Sequence, residues 1–229
     1  MKDYIYYCIP TYKSFDEARL GIIAALTGSL VPDEIVVIDN SGDGSGTVAL
    51  QHLASLYPKV YMWPQSYNLG VAASWNKFHT EIKRDFIIIA NDDVAVHYNT
   101  IEAMYLAAKA NQDEPMVYGN GASGNAYSLF MLRKWAFDKI GPFDERFYPA
   151  YFEDNDYAYR LKLAGYTGQF HAHDATYDHV GSSTLKKYSE HEMTAHHHRF
   201  RNNREYYITK WGGVPGEEKY TTPFGDILL

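Results

Sequence analysis

The chain has 229 residues, a length that fits one α/β domain and is short for two. Hydrophobic residues make up 46% and charged residues 21%, which is typical of a globular protein and excludes a disordered or fibrous chain. The net charge of −7 argues against binding of nucleic acid or anionic lipid through charge alone. The 21 Tyr residues are unusually many; their rings can pack in a core or against a sugar or base, and packing is the simpler expectation.

Signals for targeting and for disulfides are lacking. Cys8 is the single cysteine, so neither an intrachain disulfide nor a Cys-based zinc site is expected. The N-terminal apolar run is too short for a signal peptide, and no segment reaches the roughly 20 apolar residues that cross a bilayer. We therefore expect a cytoplasmic protein without a transmembrane segment, at most weakly associated with a membrane surface. The sequence leaves the oligomeric state open.

Up to residue 99, short apolar runs that fit buried strands alternate with longer segments of helical period. In chain order, the predicted elements are strand Tyr4–Ile9, helix Phe15–Thr27, strand Glu34–Asp39, helix Thr47–Leu56, strand Val60–Trp63, helix Gly70–Ile82 and strand Phe86–Ala90. This alternation predicts an α/β fold with a mainly parallel central sheet flanked by helices on both faces.

Beyond residue 99 the pattern becomes irregular. The predicted elements are helix Thr100–Asn111, a Gly-rich stretch (Gly119–Gly124), strand Ala126–Leu132 and helix Glu153–Ala164. Past Gly181 the chain is polar and His-rich, which favours a helix followed by an irregular tail. Because no linker interrupts the chain, we predict one domain over 1–229: a nucleotide-binding half (1–97), an irregular half (98–185) and a helical extension (186–229).

Several familiar motifs fail on their spacing. The Gly run at 42–46 lacks the third Gly of a dinucleotide-binding fingerprint, because Thr47 stands there, and the sequence contains no P-loop. His191 and His196 resemble the pair of a zinc-protease helix, but they are five residues apart, whereas that site needs four. We expect the His run at 196–198 to face solvent.

Carboxylates stand at the ends of two predicted parallel strands. Asp39 ends the second strand, and Asp92 and Asp93 follow the fourth. Ligands of open parallel sheets bind at this edge, although a turn or a helix cap explains either group alone. Adjacent acids there can hold a divalent cation that bridges phosphates. Residues 68–70 precede a helix whose N-terminal amides suit an anion, and Asn76 lies on that helix.

A second acidic cluster begins at Glu153 and opens a predicted helix. Acids at a helix N-terminus are favoured in their ionised form by the helix dipole, so capping is the simple explanation. Adjacent residues lie about 100° apart around a helix, so Glu153 and Asp154 are not expected to reach one atom. This favours a single catalytic base over a paired-carboxylate site. Asp156 and Arg160 are four residues apart and are expected to form an ion pair.

These residues occur in an order that resembles the family 2 glycosyltransferases of the GT-A fold, over nearly the whole chain. The segments that carry the resemblance are IPTYKSFDEA (Ile9–Ala18), EIVVIDNSGDGS (Glu34–Ser45), NLGVAASWN (Asn68–Asn76), IIIANDD (Ile87–Asp93), FDERFYPAYFEDNDYAYRLKLAGY (Phe143–Tyr166) and HVGSST (His179–Thr184). The stretch NREYYITKWGG (Asn203–Gly213) is similar to the tail of many bacterial, rhamnosyltransferase-like sugar transferases. Each motif is weak alone, and the six in this order are a strong signature together.

The resemblance implies a site for a nucleotide sugar at the sheet edge. Asp39 matches the carboxylate that accepts the imide N–H of a nucleobase, which implies uracil or thymine and hence a UDP- or dTDP-sugar. Asp92 matches the acid near the ribose or the donor sugar. The other residues implied here are Pro10, Thr11, Asn68, Gly70 and Asn76, the first two through their backbone.

The resemblance also implies a divalent cation, Mn²⁺ or Mg²⁺, held by Asp93 and His179, although Asn91 stands where the family often has an Asp. Asp154 matches the family's general base, with Glu153 beside it near the acceptor. A cation neutralises the leaving diphosphate, and a carboxylate takes the proton of the attacking hydroxyl. One such displacement inverts the anomeric centre.

The acceptor is expected to be a hydroxyl of a glycan or of a lipid-linked or protein-bound glycoconjugate. Candidates for stacking against it are Trp135, Tyr148, Tyr151 and Phe152, and packing within the irregular half explains them equally well. Two other functions stay open. A nucleotidyltransferase needs a basic Gly-rich loop after the first strand, where this chain has Thr11–Phe15. A silent sugar-nucleotide-binding module would not need the acids that this chain has at 92, 93 and 154.

Overall fold

The structure is a computed structural model, and it describes residues 3–121, 126–166, 169–179, 181 and 184–225. Its strands are β1 (Ile5–Thr11), β2 (Glu34–Asp39), β3 (Val60–Pro64), β4 (Phe86–Ala90), β5 (Val94–Val96), β6 (Met116–Gly121), β7 (Leu129–Leu132) and β8 (His171–His179). Its α-helices are α1 (Phe15–Leu26), α2 (Ser45–Leu56), α3 (Val71–Ile82), α4 (Thr100–Ala110), α5 (Lys134–Ile140), α6 (Glu153–Leu163) and α7 (Glu190–Trp211).

The strands form one sheet in the order β3-β2-β1-β4-β7-β6-β8-β5. β1 is parallel to β2 and β4, and β2 is parallel to β3, so these four strands end along one edge. β7 is antiparallel to β4 and β6, β8 is parallel to β6, and β5 is antiparallel to β8. The predicted α/β fold with a mainly parallel sheet is confirmed.

The parallel half forms because its strands are apolar on both faces. Every residue of β4 is buried, and β2 is buried from Ile35 onwards. Ile35 and Val37 pack in one apolar cluster with α1 and α2, while Val36 and Ile38 pack in another with α3. Helices therefore cover both faces of the sheet, as buried parallel strands require.

A third apolar cluster fixes the C-terminal helix against α6. Its buried members are Phe147, Phe152, Tyr159, Tyr207 and Trp211. Trp211 Nε1 donates a hydrogen bond to Asp156 Oδ1 at 2.8 Å, and the expected Asp156–Arg160 ion pair is present at 2.9 Å. The predicted helical extension is thus part of the same body. In the part of the chain that the structure describes, no helix is both long enough and apolar enough to cross a bilayer.

The elements predicted for the first half agree with the structure within two residues at each end, except that the sequence analysis does not predict the short β5. In the second half, α5 is also not predicted, and the Gly-rich stretch begins inside β6 before it runs into residues 122–125, which lie outside the described residues. The strand predicted over Ala126–Leu132 begins only at Leu129, because Ala126–Ser128 form a 3₁₀ turn.

Candidate active site

A cleft of about 350 Å³ lies at the carboxyl ends of β1 and β4 and reaches the start of α6. Of the residues predicted from the sequence, it brings together Pro10, Thr11, Asn68, Gly70, Asp92, Asp93, Tyr151, Glu153, Asp154 and His179. We call the residues that follow β1 and β4 (Thr11, Tyr12, Asp92, Asp93) the strand-end wall. The residues at the start of α6 (Tyr151, Glu153, Asp154) form the helix wall.

Asp92 connects the ends of β4 and β1. Its Oδ2 accepts hydrogen bonds from Thr11 Oγ1 at 3.0 Å and from the Tyr12 backbone N–H at 3.2 Å. Burial raises the pKa of the Asp92 carboxyl to about 7, and the charge of Asp93 adds to this, against the hydrogen bonds from Tyr12 and Thr11. The carboxylate is therefore held in a fixed place on the strand-end wall.

Asp93 and His179 meet because two short strands pair. Asp93 immediately precedes β5, His179 is the last residue of β8, and the antiparallel register sets Val94 beside His179. As a result, His179 Nε2 lies 2.9 Å from Asp93 Oδ1, and Ser128 Oγ lies 3.3 Å from His179 Nδ1. The strand β5, which the sequence analysis does not predict, is what places this pair in the cleft.

Asp93 and His179 fit a divalent cation by their chemistry. A carboxylate oxygen and an imidazole nitrogen suit Mn²⁺, and Asp92 and Glu17 add negative charge around Asp93. Among the described residues, no group of three or more His, Cys, Asp or Glu side chains makes a complete metal site. Two protein ligands are nevertheless enough where substrate phosphates supply the others, as is usual for Mg²⁺.

Asp39 is buried at the end of β2 and is not among the residues that line the cleft. Its Oδ2 accepts hydrogen bonds from the N–H of Thr47 at 2.6 Å and from Thr47 Oγ1 at 2.8 Å, and its Oδ1 accepts the N–H of Ser41 at 3.0 Å. Burial alone would raise the pKa of Asp39, but these hydrogen bonds outweigh it and lower the pKa. Both oxygens therefore serve the turn into α2, and the adjacent Asn40 lines the cleft instead.

The loop before α3 is fixed by hydrogen bonds from its own backbone N–H groups. The N–H of Leu69 donates to Asn40 Oδ1 at 3.1 Å, that of Gly70 to Asn68 Oδ1 at 2.9 Å, and that of Val71 to the Pro149 carbonyl at 2.7 Å. The Val71 N–H at the start of α3 is therefore already bonded within the protein, as are the two N–H groups before it. Gly70 has a φ of +81°, and a Cβ there would lie 2.9 Å from the Pro149 oxygen, so this close approach requires glycine.

The helix wall begins with two residues in an unusual backbone conformation. Tyr151 and Phe152 have φ values of +79° and +73°, which cost free energy in residues with a side chain. Asn203 of α7 stabilises this turn, because its Nδ2 donates to the Ala150 carbonyl at 2.9 Å and to the Tyr151 carbonyl at 3.3 Å. The turn directs α6 so that Glu153 and Asp154 both line the cleft.

Glu153 and Asp154 have raised pKa values. Burial raises the pKa of Glu153 well above its ordinary range, and the charge of Asp154 raises it further. Burial also raises the pKa of Asp154, although its Oδ1 accepts the N–H of Asn155 at 2.8 Å. Burial thus opposes the helix dipole, which favours the ionised form of Asp154. The Oε2 atom of Glu153 has no hydrogen-bond partner within the described residues.

Besides Asp39, four residues predicted for substrate lie outside the cleft lining. Asn76 bonds the backbone of Phe143 through both its Oδ1 and its Nδ2, at 2.8 and 2.9 Å, and so connects α3 to the loop before α6. The other three are Trp135, which packs on Tyr166, Phe152, which packs in the third apolar cluster, and Tyr148, whose hydroxyl donates to the Asn68 carbonyl. Trp135 and Phe152 therefore pack against other side chains of the protein, which was the alternative to stacking against an acceptor.

In the His run at 196–198, His197 and His198 are exposed, as predicted, whereas His196 is half-buried. His196 lines the cleft, and its ring lies 5.3 Å from that of Tyr151 at an angle of 71°. Burial lowers the pKa of His196, and the charges of His197 and Arg199 lower it further. Tyr188, just before α7, also lines the cleft. Sequence reasoning missed both because the docking of α7 on the Tyr151 turn has no local signal.

Comparison with known proteins identifies the fold. The chain has the same fold as a solved structure of S. aureus TarS (residues 1–349), with a TM-score of 0.60, 12% identity and coverage of 88% of this chain and 71% of that one. It is also similar to the mannosyltransferase PcManGT from Pyrobaculum calidifontis in complex with GDP-Man and Mn²⁺, with a TM-score of 0.65, 14% identity and coverage of 94% and 67%. Curated protein sequences gave no match.

The sequence profile described as glycosyl transferase family 2 matches residues 7–181, which include every strand of the sheet except the first two residues of β1 and every residue of both cleft walls. The likenesses in structure are too remote in sequence to show more than the GT-A-type fold, and the profile shows the family. The chain belongs to family 2 of the glycosyltransferases.

Proposed function

We propose that this chain transfers a sugar from a nucleoside diphosphate sugar to a hydroxyl group of a glycan or glycoconjugate, with inversion of the anomeric centre. The observation that carries the proposal is that one cleft holds Asp93 with His179 and, on its helix wall, Glu153 with Asp154. The first pair suits the leaving diphosphate, and the second suits the attacking hydroxyl.

Asp93 and His179 would hold a divalent cation, Mn²⁺ or Mg²⁺, and the cation would offset the charge that develops on the leaving diphosphate. Thr11 and Tyr12 keep Asp92 beside that position through their hydrogen bonds. The structure of PcManGT in complex with GDP-Man and Mn²⁺ is consistent with a nucleotide sugar and a cation in this fold.

Asp154 is proposed as the base. It lies in the cleft at the start of α6, and burial raises its pKa, which makes it a stronger proton acceptor than an exposed Asp once it is ionised. A single base that activates the acceptor directly, without a covalent intermediate, corresponds to one displacement and hence to inversion. Glu153 lines the same cleft beside it.

For the donor and the acceptor, we propose only the chemical class. UDP- and dTDP-sugars stay the proposed donors on the family resemblance, in which the Asp39 carboxyl group, already bonded to Ser41 and Thr47, would accept the imide N–H of the base. Tyr151, which is 37% exposed at the cleft, is the one proposed stacking residue that lines it.

The test is release of nucleoside diphosphate. The protein would be incubated with Mn²⁺ and UDP-glucose, UDP-N-acetylglucosamine, dTDP-rhamnose or GDP-mannose, with and without oligosaccharide acceptors. Release that depends on the sugar donor and stops in Asp154→Asn supports the proposal. Binding of nucleotide without any release would instead indicate a silent binding module.

A further inference from the structure

Three polar atoms are buried without a partner next to the helix wall. Among the residues that the structure describes, Trp75 Nε1, Glu153 Oε2 and the Tyr157 hydroxyl have no hydrogen-bond partner. The exposed fractions of these residues are 2%, 5% and 0%. A buried polar group without a partner is unfavourable and rare, so a cluster of them at a cleft indicates where a ligand completes the bonding.

Ring contacts bring these residues together. The Trp75 ring lies 4.9 Å from that of Phe143, edge to face, and Phe143 stacks on Tyr157 at 4.1 Å. Tyr157 follows Glu153 by one helical turn, so both lie on the same face of α6. Trp75 and Glu153 line the cleft, and Tyr157 is fully buried. We call the two of these residues that line the cleft, Trp75 and Glu153, the polar floor.

We infer that this floor, formed by Trp75 and Glu153, binds a hydroxyl group of the donor sugar and thereby selects the sugar that is transferred. The inference rests on the proposed function. An indole N–H can only donate, whereas a carboxyl group accepts when ionised and also donates when protonated. A hydroxyl group donates and accepts, so it can satisfy both residues in either state of Glu153.

The depth of the floor favours the donor sugar over the acceptor. Trp75 and Glu153 are nearly inaccessible, whereas Tyr151 at the same cleft is 37% exposed. A sugar linked to a diphosphate at Asp93 fills the buried end of the cleft, and an acceptor that enters afterwards meets the exposed end. A glycan acceptor needs the open part, because the rest of its chain must leave the cleft.

The test compares binding of the sugar with binding of the nucleotide alone. Calorimetry with Mn²⁺ and no acceptor would measure the affinities of UDP and UDP-glucose, or of whichever nucleotide pair the wild type prefers. Trp75→Phe removes the N–H and keeps a ring, and Glu153→Met removes the carboxyl group in an apolar chain of similar length. Trp63→Phe is the matched control, because Trp63 packs on Phe78 outside the cleft lining.

We expect Trp75→Phe and Glu153→Met each to weaken nucleotide-sugar binding about 10-fold, the effect of one lost hydrogen bond, with the affinity for free diphosphate unchanged. Glu153→Gln, which retains both a donor and an acceptor, should keep most of the affinity, and Trp63→Phe should keep all of it. Thermal unfolding checks that each variant folds. If Trp75→Phe does not fold, the comparison of nucleotide-sugar affinity between Glu153→Met and Glu153→Gln still tests the inference.

Two results would overturn the inference. One is unchanged nucleotide-sugar affinity in the folded variants, including the case in which only the KM for an acceptor rises. The other is an equal loss for the sugar nucleotide and the free diphosphate, because the residues would then shape the cleft without contacting the sugar. If the wild type binds no nucleoside diphosphate at all, the proposed function itself fails, which is a distinct result.

Discussion

The strand-end wall and the helix wall of the cleft differ in how their carboxyl groups are bonded. On the strand-end wall, Asp92 accepts hydrogen bonds from Thr11 and Tyr12, and Asp93 pairs with His179. On the helix wall, Glu153 Oε2 has no partner within the described residues, and the turn at Tyr151 and Phe152 that leads into this wall has a strained backbone. The carboxyl groups of the strand-end wall are thus bonded within the protein, whereas Glu153 Oε2 on the helix wall is not.

Asp39 and Asp154 show what this difference does to a carboxyl group. Burial acts on both, yet hydrogen bonds from Ser41 and Thr47 lower the pKa of Asp39, while the pKa of Asp154 is raised. The same side chain is thus a fixed hydrogen-bond acceptor behind one wall and the proposed proton acceptor on the other. Hydrogen-bond partners, and not burial alone, therefore determine whether the pKa of a buried carboxyl group is raised or lowered.

Asp154→Asn should give the largest effect, because it removes the proposed base from the helix wall and leaves the strand-end wall intact. We expect a loss of transfer rate of at least about 10²-fold, with the affinity for nucleoside diphosphate nearly unchanged. Single-turnover kinetics and calorimetry measure the two quantities separately.

Glu153→Gln is the matched control for that variant, since it changes the neighbouring carboxyl group on the same wall. It should retain much more activity than Asp154→Asn. If instead Asp154→Asn transfers sugar at most of the wild-type rate while Glu153→Gln is inactive, the base is Glu153 and Asp154 has another role.

Asp93→Asn should act on the other wall and have the opposite profile. Removing a charged ligand is expected to weaken nucleoside diphosphate binding by about 10- to 100-fold and to lower the rate as well. Calorimetry with Mn²⁺, repeated in EDTA, measures the effect. Wild-type affinity that is the same in EDTA as in Mn²⁺ would contradict a cation at Asp93 and His179.

Asp39→Asn tests whether the buried acid behind the strand-end wall is structural. We expect a loss of on the order of 1–3 kcal/mol in the free energy of unfolding, because the N–H groups of Ser41 and Thr47 lose a charged acceptor. A specific loss of UDP and dTDP binding would support the role that the family resemblance implies. An unchanged order of affinities for UDP, dTDP, GDP and CDP would instead leave Asp39 with the structural role alone.

The sequence predicts the first half well because its strands and helices follow one another locally. The alternation of apolar strands with helices determines the parallel sheet, and a parallel sheet determines which edge holds Asp92 and Asp93. Asp39 shows the limit of this reasoning: the sequence places it at the correct edge, but the side-chain bonds to Thr47 depend on the turn into α2.

The second half depends on contacts between residues far apart in the chain. β5 has three residues and no periodicity of its own, yet its pairing with β8 brings His179 to Asp93. His196 reaches the cleft only because α7 docks on the turn at Tyr151 through Asn203. The family resemblance singles out His179, Glu153 and Asp154, whereas the sequence analysis expects His196 to face solvent and gives no role to the indole N–H of Trp75.

Glu153 should also make the stability of the protein depend on pH, and this is the smallest effect we predict. Because burial raises its pKa in the folded state, the folded protein keeps a proton that the unfolded chain releases. Its contribution to stability is therefore complete below the unfolded pKa and is lost as pH rises through the folded pKa. The Glu153→Gln side chain does not titrate. The Tm of this variant should therefore rise relative to that of the wild type as the pH increases from 5 to 8. Glu205→Gln, an exposed position on α7, controls for the substitution itself. A difference in Tm that stays constant with pH would mean that the helix wall holds no such proton, and the contrast between the two walls would then rest on geometry alone.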